Sequence, residues 1–237
     1  MKSIQVGLIG ASGKMGLVVR ECLKKQNIFV PFIAVSSKFC SEFSFSVENL
    51  SGVEVEVLDQ VDVWIDFSNP ASLNHYSLLK NKPIVNGVTG FTQKEFQILK
   101  KSSIKQSIFW AANFSFGLWA VRQMLKAFTN IPDYDYALTD IHHNQKKDNP
   151  SGTALVLHSD LEKVLGKKIA KPKGQRLGGA FGIHEVLAVG QNEMIKVEHT
   201  ALNREVFAEG ALSAALWLMK KKNGFYSMND MMQSKSR

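Results

Sequence analysis

Cysteine is scarce in this chain: Cys22 and Cys40 are the only two. Two thiols are too few for a disulfide framework, and no set of Cys and His residues has zinc-site spacing. A stapled secreted scaffold and a metal module are therefore not expected, and a cytoplasmic setting is. Long apolar runs are also missing. The least charged long stretch, "SIFWAANFSFGLWAV" at 107–121, falls short of a membrane span and contains Asn113 and Gly117. The N-terminal "MKSIQVGLIGASGKMG" is broken at once by glycines and makes a poor signal peptide. Repeats and low-complexity linkers are lacking too, which argues against solenoids and disordered arrays.

What remains suits a globular protein. The chain has 237 residues, 45% hydrophobic and 21% charged, enough for one large domain or two of ordinary size. Its formal charge is +8. Part of that lies in "EKVLGKKIAKPKGQR" (162–176) and part in "KKK" (220–222). Such lysines either solvate a surface or attract anionic ligands. No nucleic-acid-binding motif accompanies them, so a nucleic-acid partner is not expected.

The first half alternates short apolar runs with helical patterns. Strands are predicted at 3–10, 30–36, 61–68, 82–90 and 107–113, and helices at 14–26, 71–81 and 92–102. The last of these opens with "TQKE", a capping-box signature at Thr92 to Glu95. Nearly continuous apolar strands alternating with helices point to a doubly wound α/β domain with a parallel sheet. After Asn113 the pattern changes. A helix is predicted at 116–130, a half-exposed strand at 133–143 and a helix at 151–165. Two strands at 184–190 and 193–202, mostly antiparallel, and a helix at 209–222 complete the chain.

"GLIGASGKMG" follows the first strand and opens the first helix. In that position Gly10 allows a tight turn, Gly13 lets a pyrophosphate approach the backbone, and Gly16 lets the helix pack close to the strand. The loop Gly10, Ala11, Ser12, Gly13, Lys14 and Met15 is thus a candidate phosphate cradle at a helix N-terminus. An NAD site usually places a carboxylate roughly 20 residues on, at the end of the second strand. Here that place holds Ser36, Ser37 and Lys38. Hydroxyls and an ammonium suit a 2′-phosphate, so NADPH is expected to bind at least as well as NADH. "NGVTG" (86–90) and "AANFS" (111–115) end later strands, at the sheet edge where ligands of such folds bind.

The densest chemistry lies in "DIHHNQKKDNPSGTAL", 140–155. Adjacent His142 and His143 point to opposite sides of an extended chain and do not easily share a metal. Pro150 suits the start of a helix. Ser151, Gly152 and Thr153 then fall in its first turn, where free N–H groups favour an anion. Two imidazoles, an ammonium and an anion cradle are the parts needed to hold an acidic small molecule and protonate it while hydride arrives from the dinucleotide domain.

"HHNQKKDNPSGTA" resembles the signature of the 4-hydroxy-tetrahydrodipicolinate (dihydrodipicolinate) reductase family. The resemblance extends over nearly the whole chain. It takes in the glycine loop, "DFS" at 66–68, "GVTGF" at 87–91, "AANFS" at 111–115 and the closing "FAEGALSAALWL". It implies a Rossmann-like domain, residues 1–113 plus 205–237, and a smaller α+β substrate-binding and oligomerisation domain, 114–204. It also implies hydride transfer from NADPH or NADH to a cyclic, imine-bearing dicarboxylate with loss of water, in lysine and diaminopimelate biosynthesis. His142 and Lys146 would handle the proton. His143, Gly152 and Thr153 would touch substrate. Gly87, Val88 and Thr89, with Ala111, Ala112, Asn113 and Phe114, would line the nicotinamide side. A homo-oligomer, usually a tetramer built on the second domain's sheet, is implied as well. The chain departs from the family where Ser36 replaces an often acidic residue, and in a stretch between "GQRLGG" and "HEVLAVG" that looks shortened. A non-catalytic dinucleotide sensor, or a reductase of a related cyclic imino acid, are the alternative readings.

Overall fold

A computed structural model describes residues 3–79 and 81–234. They fall into two compact units, one built from the residues up to Phe114 together with those from Phe207 on, the other from Ser115–Val206.

The first unit begins with β1 (Ile4–Ile9), α1 (Lys14–Lys25), β2 (Phe29–Val35), β3 (Phe45–Val47), α2 (Val55–Asp59) and β4 (Val63–Asp66). It continues through β5 (Ile84–Asn86), α3 (Gln93–Ser102) and β6 (Ser107–Trp110). The second unit holds α4 (Phe116–Met124), β7 (Asp135–His142), α5 (Gly152–Leu165), β8 (Lys173–Arg176), β9 (Ile183–Val189) and β10 (Met194–Thr200). The chain then passes through α6 (Glu205–Leu218) to β11 (Gly224–Tyr226) and α7 (Met228–Ser234).

Seven strands of the first unit form one sheet in the order β11-β6-β5-β4-β1-β2-β3. Every pairing in it is parallel. The central strands are buried on both faces, as their unbroken apolar sequences require: all four residues of β4 and all three of β5 are buried. The sheet is the α/β doubly wound architecture predicted from strand–helix alternation. The Thr92–Glu95 capping box is present, with both reciprocal bonds made.

The second unit is a four-stranded sheet, β10-β9-β7-β8. The pairs β7–β9 and β9–β10 are antiparallel, and β8 runs parallel to β7. Leu118, Val121, Leu157 and Leu161 of α4 and α5 pack with Tyr136, Leu138, Val186 and Ala188 of the sheet. These residues alternate along β7 and β9, so helices cover one face and leave the other open.

The predicted elements differ from the observed ones in a few places. The helix predicted at 71–81 is a 3-10 segment, Pro70–Leu78, capped by Asn69 with proline in its first turn; residue 80 lies outside the described residues. The helix predicted at 116–130 is α only to Met124 and tightens to a 3-10 turn over Leu125–Asn130. Five short elements, β3, α2, β8, β11 and α7, were not predicted. The β8 sequence "KGQR" has no apolar residue, and β3 and β11 are three-residue edge strands.

Candidate active site

The glycine loop lies between β1 and α1 as the spacing implies. Gly10 and Ala11 donate their N–H groups to the Val35 carbonyl at 2.9 and 3.3 Å, tying the loop to the end of β2. Gly10 has a φ of +82°, and a Cβ there would stand 2.9 Å from the Ser68 backbone. Only glycine meets both conditions without strain. A Cβ on Gly16 would overlap the Gly10 carbonyl oxygen, so this glycine sets how closely α1 seats on the loop. Gly13 is the N-cap of α1 and supplies no side-chain acceptor, and Lys14 is exposed beside it. The first-turn N–H groups of α1 are therefore served by no cap, which fits a pyrophosphate.

At the end of β2 the three candidates separate. Ser36 is buried, and its hydroxyl accepts the Lys38 N–H at 3.1 Å. Ser37 and Lys38 are exposed, and the Ser37 hydroxyl lies 3.4 Å from that of Ser12. Only Ser37 and Lys38 present polar groups outward. Arg20, which sequence reasoning missed, reaches from α1 to the Ala11 carbonyl at 3.4 Å and forms an ion pair with Glu42. The Glu42 hydrogen bonds hold the guanidinium more firmly protonated and the carboxylate below its ordinary range.

Beneath these loops lies a buried polar network that was also missed. Asp66, fully buried at the end of β4, accepts from the Ser68 N–H (2.9 Å), the Ser68 hydroxyl (2.6 Å) and the Tyr76 hydroxyl (3.0 Å). Asn86 donates to Tyr76 and accepts the Val88 N–H at 2.9 Å. Burial pushes the Asp66 carboxyl up. The network shapes the turn carrying Gly87, Val88 and Thr89. The Gly87 position is tight because a Cβ would overlap the Phe67 ring. Thr89 and Ala112 are exposed and help line an aromatic-walled cavity of about 380 Å³ with Phe91, Phe96 and Trp110. Ala111 is buried and Asn113 half-buried. The Phe114 ring is core: it stacks on Phe109 at 5.9 Å and meets Phe67 edge-on. The whole residue is buried and its carbonyl packs against Gly210 of α6, so Phe114 is not presented to a ligand as the resemblance implies.

In the second unit the histidine-rich segment is organised by Asp140. This carboxylate is fully buried on β7. One oxygen accepts the Ser151 N–H at 2.8 Å and faces the Arg176 guanidinium at 3.4 Å. The other accepts the Ser151 hydroxyl at 2.7 Å and lies 3.0 Å from His142 Nδ1 and 3.5 Å from His184 Nε2. The His142 contact is too oblique for a hydrogen bond as it stands. Arg176 also donates to the Lys146 and Asp148 carbonyls and so fastens the loop after β7. Behind His142, the His184 ring lies 5.2 Å away and stacks on His199, whose Nε2 is 3.0 Å from the Ser115 hydroxyl.

Burial holds the imidazolium of His142 below its ordinary range, with Asp140 opposing and Lys146 and Arg176 assisting. His184 is pushed down to about 4, again chiefly by burial. Asp140, His142 and His184 offer an oxygen and two ring nitrogens within 4.8 Å of one another. Ser151 and the Arg176 cation already occupy the carboxylate, so its chemistry is that of a hydrogen-bonded set rather than a metal set.

Ser151 caps α5, accepting the Ala154 N–H at 3.2 Å. Gly152 follows in the first turn, exposed, with nothing within 4 Å of where a Cβ would be. Its N–H meets the Asp148 carboxylate at 3.4 Å, and the same carboxylate holds Lys146 Nζ at 2.7 Å. Burial disfavours the charged carboxylate, but Lys146 and the Gly152 N–H outweigh it and hold Asp148 below its ordinary range. His143 and Thr153 are half-buried, and Lys147 is exposed.

The dihydrodipicolinate reductase N-terminal family model matches residues 4–114, and the corresponding C-terminal model matches 117–232. The chain is 38% identical over 242 aligned residues, all of both sequences, to a 4-hydroxy-tetrahydrodipicolinate reductase of Bdellovibrio bacteriovorus. It is 33% identical to that of Clostridium tetani, with 98% of each covered. A dipicolinate-bound dihydrodipicolinate reductase from Paenisporosarcina superposes with a TM-score of 0.79 at 20% identity, covering 95% of this chain and 97% of that one. A diaminopimelate dehydrogenase of C. glutamicum shares the fold more loosely, at a TM-score of 0.59 and 10% identity over 96% and 93% of the chains.

Proposed function

Because this chain belongs to the dihydrodipicolinate reductase family, we propose that it reduces 4-hydroxy-tetrahydrodipicolinate with NADPH or NADH in lysine and diaminopimelate biosynthesis. Hydride replaces the substrate hydroxyl, which leaves with one proton as water. The carrying observation is that His142, Lys146 and the first turn of α5 are tied together through Asp140 and Asp148.

The uncapped start of α1 and the Gly10–Met15 loop hold the pyrophosphate, and the bound dinucleotide supplies the hydride. Gly87–Thr89 and Ala111–Asn113 line its nicotinamide side, with Phe114 buried behind them. Gly152 N–H and Thr153 receive a substrate carboxylate in the space before α5. Asp148 holds that place when substrate is away, and its departure frees Lys146 for the bound anion. His142 carries the proton, and His143 lies against substrate.

Ser37 and Lys38 face the 2′-phosphate of NADPH. A charge-assisted hydrogen bond is worth roughly 1.5–3 kcal/mol when well formed, and less at an exposed lysine. A preference for NADPH of about tenfold is expected, or roughly 1.4 kcal/mol. Calorimetric titration of both cofactors with wild type and Lys38→Ala checks this. A clear NADH preference in the wild type refutes it.

The protein works as a cytoplasmic homo-oligomer, a tetramer in this reading. No helix among the described residues is long and apolar enough to cross a membrane, and Cys22 and Cys40 are buried outside any disulfide.

The deciding experiment is oxidation of reduced cofactor, followed optically, with freshly generated substrate. Cofactor binding without turnover would establish the sensor reading instead.

A further inference from the structure

The catalytic histidine and the carboxylate cradle come from different elements: His142 ends β7, and Gly152 begins α5. One fully buried side chain touches both. Asp140 lies two residues before His142 on the same face of β7, places Oδ1 3.0 Å from His142 Nδ1, and grips both the N–H and the hydroxyl of Ser151, the cap of α5. Further donors occupy the rest of the carboxylate. Arg176 approaches Oδ2, and His184 Nε2 approaches Oδ1.

The opposite nitrogen of His142 has different surroundings. A Cβ on the buried Gly182, just before β9, would stand 3.1 Å from His142 Nε2. The absence of a side chain at 182 leaves room at that atom. The two ring nitrogens are thus distinguished, Nδ1 by a carboxylate and Nε2 by space.

We propose that Asp140 is the positioning residue of this site, setting His142 with Nδ1–H toward the carboxylate and Nε2 toward substrate while holding the α5 N-terminus in register with it. The proposal rests on the reductase reading above. In the step, the imidazolium gives its Nε2 proton to the departing hydroxyl, which leaves as water. The ring is left neutral, still carrying hydrogen on Nδ1, and solvent restores the proton. Asp140 favours the imidazolium through its charge. Lys146 and Arg176 disfavour it, Asp148 favours it, and the neighbouring His184 and its stacked partner His199 are held neutral by burial. A carboxylate in this place acts on tautomer and charge together, as carboxylate partners of catalytic histidines do.

The test compares Asp140→Asn with wild type in the pH profile of kcat/KM for cofactor oxidation. Asparagine keeps the shape and removes the charge. Activity needs the imidazolium, so it falls as pH rises through the His142 pKa. In Asp140→Asn that limb should move down by about one pH unit, and kcat at neutral pH should fall about 100-fold, within the range of a general acid. The Kd for NADPH should stay within about twofold. Ser151→Ala, which keeps the carboxylate, should raise the substrate KM and leave the limb in place. A limb unmoved in Asp140→Asn overturns the proposal, since a purely structural carboxylate would change KM and melting temperature alone.

Imidazole 15N spectra of the wild type guard against an unfolded variant. Above its titration His142 should carry hydrogen on Nδ1 and a bare Nε2, and the opposite tautomer overturns the proposal. A wild type that binds NADPH but turns over no substrate would instead sink the reductase reading, whatever the tautomer.

Discussion

His184 lies in the core of the second unit, and its protonation is opposed so strongly by burial that its pKa falls to about 4. The unfolded chain returns it to about 6.5. Between these values the unfolded state binds the extra proton, so stability rises with pH across this window. The contribution is complete above about 6.5 and fades as pH falls toward 4. A shift of this size amounts to about 3 kcal/mol at its limit. Melting temperatures measured from pH 7 to 4 should therefore fall more steeply in wild type than in His184→Gln; equal slopes would contradict this role. Lys146 makes a second residue-level case. Its ammonium lies within the α5 cradle while that of Lys147 is exposed. Lys146→Ala should lose about 10²–10⁴ in turnover with little change in NADPH affinity, and Lys147→Ala should be mild. Greater damage from Lys147→Ala would mean that the motif is misregistered. Both lysines were legible because their segment is contiguous, whereas Asp140, Arg176, His184 and His199 converge from four different strands. A signal for Asp140 did exist: Tyr136, Leu138, Asp140 and His142 occupy alternate positions of an apolar strand face, and a carboxylate in that series must be paired.

Elements differ in how much of a glycine's space they consume, and two glycines of the site show opposite cases. A methyl on Gly16 would overlap a backbone oxygen that has no rotamer to change. Gly16→Ala should therefore shift α1 off its loop, cost about 1–3 kcal/mol as an overpacked contact and weaken NADPH binding. Gly152 stands in open space at the first turn of α5. Gly152→Ala should melt at or slightly above the wild-type temperature, by about 0.4–1 kcal/mol of chain entropy, while raising the substrate KM. Differential scanning with and without NADPH, combined with steady-state kinetics, separates the two. A Gly16→Ala protein with wild-type stability would refute the seating argument. The long elements around these glycines were readable from periodicity and caps: α1 and α3 match their predicted spans closely, and β1 to within a residue at each end. The helical stretch at Pro70–Leu78 was read, but its 3-10 form was not, because that form has no 3.6-residue apolar stripe to mark it. Strand β8 was not, because an edge strand of polar residues has no alternation to detect.

At the scale of the whole molecule, assembly turns on the open face of the second unit's sheet. Cross-strand register places Asp135, Val189 and Met194 in one row and Ala137, Leu187 and Lys196 in the next. Below them lie Thr139, Glu185 and Glu198, then Ile141, Ile183 and Thr200. The opposite face is taken up by α4 and α5. Six of these twelve side chains are apolar, and the one cation, Lys196, is already paired with Glu185 at 2.5 Å and Glu198 at 2.9 Å. Covering this face would remove apolar surface from water and keep Lys196 within its two ion pairs, with the Asp135 carboxylate in the end row, where an interface rim stays wet. Strand β10 is also an unprotected sheet edge with Met194 and Ile195 exposed on it, which is an invitation to pairing unless a second copy occupies it. A stable interface needs roughly 1,200–2,000 Å² in total, a demand that a four-stranded face shared between copies can meet. Light scattering at micromolar concentration should therefore return a homo-oligomer. Leu187→Asp, which alters a half-exposed position in the centre of the face and none of the residues packed on α4 or α5, should give a folded monomer. A wild type that runs as a clean monomer sinks the assembly, and a Leu187→Asp protein of unchanged mass moves the interface to another surface.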